Sequence, residues 1–139
     1  MAIPQDMTPR QQADIDASRY LSEMKREALQ AIAPKGWKAG QPLWLNLGDL
    51  REVAQVAVNG KDVGTAWHAP YRLDVSGAVK AGKNHIEVRV ANLWINRLIG
   101  DAQKGAQKVA FTTMPTYRAD APLRASGLIG PVVLEAVGK

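Results

Sequence analysis

The sequence contains no cysteine, only two histidines and a single phenylalanine. Without cysteine, disulfides, thiolate nucleophiles and cysteine-ligated metals are excluded. His68 and His85 stand 17 residues apart, too few and too scattered for a histidine-rich metal site. No metal or other cofactor is expected. Long apolar runs are missing too. Leu98-Ile99-Gly100 and Pro131–Leu134 fall far short of the roughly 20 residues that a bilayer demands, so no membrane partner is expected. The opening Met1-Ala2-Ile3-Pro4-Gln5-Asp6 lacks a basic stretch leading into an apolar one, so no signal peptide is visible and the compartment stays unassigned.

One-sided charge is also absent in any concentrated form. The net charge is +5, but residues 1–36 carry five basic and five acidic side chains and are neutral. The excess lies in residues 37–139 as single charges (Arg51, Lys61, Arg72, Lys80, Lys83, Arg89) with no run or stripe. A scattered excess describes a solvated surface, and no nucleic-acid partner is expected. With 139 residues, 46% of them apolar, the chain fits a single globular domain.

Two periodicities divide it. From Thr8 to about Ala33 the pattern predicts a helix: Thr8 and Gln11 form a capping-box pair, and Pro9 suits the first helical position. Ala17, Leu21, Met24, Ala28 and Ile32 recur at spacings of three and four, and Pro34 and Gly36 stop the pattern. After Gly40 the period becomes two, in Leu43/Leu45/Leu47, Val56/Val58, Tyr71/Leu73/Val75, Ile86/Val88/Val90 and Val132/Leu134/Ala136. Turn signals separate these runs: Asn59-Gly60, Ala69-Pro70, Ser76-Gly77, Ala81–Asn84 and Gly127–Pro131. The expectation is a mainly β protein, an antiparallel sandwich over residues 36–139 with a helical segment at 1–35. That helix must dock on the sandwich or on a second copy, so a homodimer through the helix or an open sheet edge is one expected partnership.

Three motifs occur in order: Val58-Asn59-Gly60, Ala69-Pro70-Tyr71-Arg72-Leu73-Asp74-Val75, and Gly82-Lys83-Asn84-His85-Ile86-Glu87-Val88-Arg89-Val90. Together they resemble the galactose-binding-like jelly-roll domains of family 2 type glycoside hydrolases. Asn92–Asp101, then Leu123 with Ser126-Gly127-Leu128-Ile129-Gly130-Pro131-Val132, resemble the C-terminal sandwich domain of family 106 type α-L-rhamnosidases. The resemblance covers about residues 36–137. It implies a jelly-roll sandwich, here lacking its leading strands, that is non-catalytic, because catalysis in those enzymes belongs to a separate barrel. Here the expected helix stands where the leading strands should be.

Sugar recognition combines flat aromatic faces with planar polar groups. Trp67, His68, Tyr71 and Arg72 cluster after the hairpin, and Trp94, Asn96, Arg97 and Asp101 follow the Ile86–Val90 strand. These eight are the candidate carbohydrate-binding residues. The competing reading has Trp44, Trp67 and Trp94 as core or rim packing, with Arg97 and Asp101 paired to brace a long loop. A small stand-alone hydrolase, acting as a glycosidase or esterase, is the second function class. It lacks a recognisable centre: no spacing singles out two of Asp49, Asp62, Asp74, Glu87, Asp101 and Asp120, and neither Ser76 nor Ser126 sits in a Gly-x-Ser-x-Gly elbow. A structural or self-associating scaffold is the third.

Overall fold

The computed structural model describes residues 25–137, with side chains from residue 28 onward. These residues divide into two compact units, one built from 25–91 with 127–137 and the other from 92–126.

The first unit is an antiparallel β-sandwich. Its strands are β1 (Lys25–Ile32), β2 (Leu43–Asn46), β3 (Asp49–Arg51), β4 (Val53–Val58), β5 (Lys61–Ala66), β6 (Arg72–Asp74), β7 (Lys83–Ala91), β8 (Gly127–Gly130) and β9 (Val133–Ala136). One sheet has the order β1-β7-β4-β5 and a second β6-β2-β9, while β3 pairs with β8. Alternation decides which face is buried, because successive side chains of a strand point to opposite sides. Leu43 and Leu45 of β2, Ala54, Val56 and Val58 of β4, and Ile86, Val88 and Val90 of β7 have no exposed surface. Each fully buried aliphatic side chain of this size contributes roughly 1.5–3 kcal/mol, so this face dominates the energetics. Asn59 and Gly60 turn β4 into β5 with φ of 52° and 81°, the positive values a type I′ hairpin needs at both positions.

The expected helix at 8–33 is corrected over its last turns. Residues 8–24 lie outside the described residues, but Lys25–Ile32 is a strand, paired antiparallel with β7 from Lys25–Val90 to Ile32–Lys83. Lys, Arg, Glu, Ala and Leu favour helix only weakly, and a complete ladder along an existing sheet outweighs that preference. The inward residues change accordingly. Leu29, Ala31 and Ala33 pack on the core, while Ala28 and Ile32, members of the expected helical stripe, face out. The strand thus stands where a leading strand was thought to be missing.

Gly127–Gly130, read in sequence as a turn, is β8, and β3 also went unforeseen. Gly48 permits the close approach there: with φ of 65° it bridges Gly130, and a Cβ would lie 2.5 Å from the Gly130 carbonyl carbon and the Pro131 oxygen. Among the described residues the second unit supplies the one helix, α1 (Ile95–Asp101), where the sequence suggested a loop; the stretch from Ala102 to Ser126 has neither strand nor helix.

Candidate functional site

The eight candidate residues fall into two groups of four, one in each unit. In the sandwich, Trp67 follows β5 and is 67% exposed, with the His68 ring edge-on at 4.5 Å between centroids. His68 Nδ1 lies 3.0 Å from the Ala69 carbonyl. Together they present an aromatic surface to solvent. Tyr71 instead packs against the core, and its carbonyl accepts the Leu47 N–H at 2.9 Å.

Arg72 belongs to a different cluster, on the outer face of the β6-β2-β9 sheet. Since Leu43 and Leu45 point inward, Trp44 and Asn46 must point outward, beside Arg72 of β6 and Glu135 of β9. The Arg72 guanidinium lies 5.2 Å from the Trp44 ring centre, and its Nε is 3.3 Å from Glu135. Asn46 Nδ2 donates to the same carboxylate at 2.9 Å. Of the core or rim packing expected for Trp44, the structure shows a half-buried platform on the outer face, capped by a cation. Asn46 and Glu135 went unnoticed in the sequence because they meet only through strand pairing, 89 residues apart.

In the second unit, Trp94 is 47% exposed at the start of α1. The other three are buried, with 5% or less of their surface accessible. Asn96 clamps Arg124, donating from Nδ2 to its carbonyl at 2.7 Å and accepting its N–H at 2.9 Å. Arg97 pairs with Asp101 one helical turn later, and the second Asp101 oxygen accepts the N–H groups of Ala110 at 2.8 Å and Val109 at 3.2 Å. Gln103 Nε2 donates to the Ala119 carbonyl at 2.8 Å. These side chains brace the long irregular stretch after α1. The Nε and Nη1 of Arg97 are buried without a partner among the described residues. Burial pushes the Asp101 carboxyl upward, but the Arg97 hydrogen bond and the Ala110 and Val109 N–H groups outweigh it and hold it below the usual carboxylate range.

Asp49 is held low by its hydrogen bond from Arg51 and Asp74 by hydrogen bonds from Ser76, as Asp101 is by Arg97, whereas a glycosidase acid needs its pKa raised. The Ser76 hydroxyl accepts the Leu43 N–H and donates to Asp74. Among the described residues no three His, Asp or Glu side chains could hold a metal ion together, and no helix is long and apolar enough to cross a membrane.

Comparison with known proteins agrees with this architecture. Residues 15–124 match the family model described as the glycosyl hydrolase 2 galactose-binding domain-like domain. A rhamnosidase from Novosphingobium sp. PP1Y is 59% identical, with a TM-score of 0.74, over 83% of this chain and 11% of its own. A Formosa agariphila protein named "Putative beta-glucuronidase" is 35% identical over 130 residues, 76% of this chain and 11% of its own. The chain thus spans about a tenth of the length of each of these relatives.

Proposed function

Because the chain belongs to the galactose-binding-like domains of the glycosyl hydrolase 2 type, we propose that it is a non-catalytic, carbohydrate-binding accessory domain of a glycoside hydrolase. The observation that carries this reading is the 59% identity to a rhamnosidase of which the chain matches only 11%, a share that leaves the bulk of such an enzyme to other domains. The exposed Trp67–His68 pair of the sandwich and, separately, Trp94 of the second unit each offer aromatic surface to the apolar side of a sugar ring. Asn96 and Asp101, which hold their own loop, act as bracing, and Tyr71 acts as packing. Arg72 contributes through the Trp44 platform.

A glycan array combined with chromogenic glycosides and esters tests this on the purified chain. Binding without turnover is expected; turnover would establish the stand-alone hydrolase instead, and silence in both assays would favour a scaffold. Self-association has its natural seat at β1 or β5, the two edges of the four-stranded sheet among the described residues, and sedimentation velocity reads it directly.

A further inference from the structure

Strand direction brings to one end of the sandwich basic residues that the sequence holds far apart. β1 ends there at Ile32, β4 at Val58 and β6 at Asp74, while β2, β5 and β7 begin there at Leu43, Lys61 and Lys83. The turns between these strands are tied together. Ala33 N–H donates to the Gly82 carbonyl, Leu43 N–H to the Ser76 hydroxyl, and Asn59 Nδ2 to the Ala78 carbonyl. Lys35, Lys38, Lys61, Lys80 and Lys83 lie on this end, and all are exposed. Across the four strands of the larger sheet the end is about 14 Å wide, three strand spacings of about 4.8 Å.

This charge is not neutralised locally. None of the five lysines forms a salt bridge among the described residues, and Lys61 Nζ donates instead to the Gly77 carbonyl at 3.2 Å. The carboxylates that the strands bring to this end are engaged elsewhere. Asp74 accepts the Ser76 N–H and hydroxyl, Asp62 accepts from Gln55 and the Gly64 N–H, and Glu135 accepts from Asn46 and pairs with Arg72. Cations spaced at about a Debye length add their fields and attract an anionic surface.

The composition of this end chooses among anionic partners. Its cations are lysines, point charges without the planar fork with which arginine grips a phosphate or a guanine edge. Trp37, the aromatic of these turns, is buried, so no ring is offered to nucleic-acid bases. Lysine is also depleted in stable protein interfaces. Two aliphatic side chains share the end: Ile32, paired with Lys83 and 70% exposed, and Val137, 51% exposed just after β9, whose Ala136 pairs with Leu43. A nucleic-acid backbone or a free phosphate gains nothing from them. The boundary between lipid headgroups and acyl chains takes cationic and apolar side chains together.

We infer that this end of the sandwich docks reversibly on an anionic lipid surface, with the lysines against the headgroups and Ile32 and Val137 at the apolar boundary. The inference does not rest on the carbohydrate-binding reading. The expectation of no membrane partner rested on the lack of a spanning run and on charges scattered along the sequence, and a surface contact needs neither a span nor a run.

The experiment is co-sedimentation of the purified chain with vesicles of phosphatidylcholine alone and of phosphatidylcholine mixed with phosphatidylglycerol. Binding to the mixed vesicles only is expected. It should weaken about tenfold or more as ionic strength rises from about 0.1 M to about 1 M, which shortens the Debye length from about 10 Å to about 3 Å. Lys80→Glu with Lys83→Glu should weaken it on the order of tenfold. Lys104→Glu with Lys108→Glu, the same change of net charge in the second unit, should leave it unchanged. Ile32→Ser should weaken it too, because a lipid contact uses the apolar side chain and a purely ionic one does not. Should the pair at 80 and 83 fail to fold, Lys35→Glu with Lys38→Glu reads the same loss. Equal losses from the two second-unit substitutions would trace binding to net charge and overturn the assignment to this end. Tighter binding of a short DNA duplex than of the mixed vesicles would make the partner a nucleic acid and overturn the lipid. No binding to mixed vesicles overturns the inference outright and leaves the carbohydrate-binding reading to the glycan array.

Discussion

The side-chain amide of Asn59 donates to the side-chain oxygen of Asn84 at 2.8 Å, joining the hairpin of the first family motif to the opening of the third. Asn59 also donates to the Ala78 carbonyl and accepts the His85 N–H, while buried Asn84 exchanges hydrogen bonds with Lys80 and donates to Gly82. The two motif asparagines are thus tied to the backbone and to each other, which gives them a structural role. Asn84→Leu should destabilise the domain by about 2–4 kcal/mol, because the part-buried backbone groups of Lys80 and Gly82 and the Asn59 amide lose their partner at once. Urea unfolding of Asn59→Ala, Asn84→Leu and the double variant should reveal a coupling of about 0.5–3 kcal/mol.

Gly48 is the second point of rigidity. A methyl group there would meet backbone atoms at 2.5 Å, which cannot rotate away as a flexible side chain could. Gly48→Ala should cost about 2–4 kcal/mol, whereas Gly60→Ala, whose added carbon meets nothing within 4 Å, should show only the smaller penalty of its positive φ. Thermal unfolding of the pair separates steric from conformational cost.

The identity of residues 25–32 as strand rather than helix is tested by two neighbouring substitutions. Leu29 packs on the core and Ile32 is 70% exposed, the reverse of the helical expectation for Ile32. Leu29→Asp should lower stability by about 2 kcal/mol or more, and Ile32→Asp should stay within about 0.5 kcal/mol. The opposite ranking in denaturant titrations would restore the helix.

Acid should weaken the second unit through Asp101. Its carboxyl is held below the ordinary value of about 3.9, so between that value and its lower folded value the unfolded chain binds the proton first. The contribution is therefore fully present above about pH 4 and is lost as the pH falls through the folded value. Asp49 and Asp74 act in the same direction, so the discriminating measurement is the slope of unfolding free energy against pH in Asp101→Asn. That slope should be shallower than in the parent, with lower stability at neutral pH.

Trp67 and Trp44 should separate surface from framework. Trp67→Ala, at a largely exposed position, should leave stability within about 0.5 kcal/mol and weaken glycan binding on the order of tenfold. Trp44→Ala should instead lower stability by about 1 kcal/mol or more, because it removes the surface beneath Arg72. Parallel calorimetric unfolding and array binding distinguish the two outcomes.

Much of the sandwich was legible because alternating apolar residues report a buried sheet face directly. Val56 and Val58, Ile86 to Val90, and the Asn59-Gly60 turn all lie where their local pattern places them. The β1 strand was not legible. Its residues carry a good helical pattern, and the ladder that overrides it belongs to β7, more than fifty positions away. The candidate site was harder still. A sequence places Arg72 beside Tyr71 and His68, whereas alternation separates neighbours and strand pairing gives Arg72 to Trp44 and Glu135.

By itself the sequence determined the mainly β class, the hairpin, the motif framework and the exclusion of cysteine chemistry, because each depends on residue types within a few positions. Only the tertiary structure decided that Lys25–Ile32 joins the sheet, that Asn96 and Asp101 are spent on their own loop, and that Lys35, Lys38, Lys61, Lys80 and Lys83 share one end of the sandwich. Those outcomes depend on which strand lies beside which, and that choice is made by the burial of a common core rather than by any local preference.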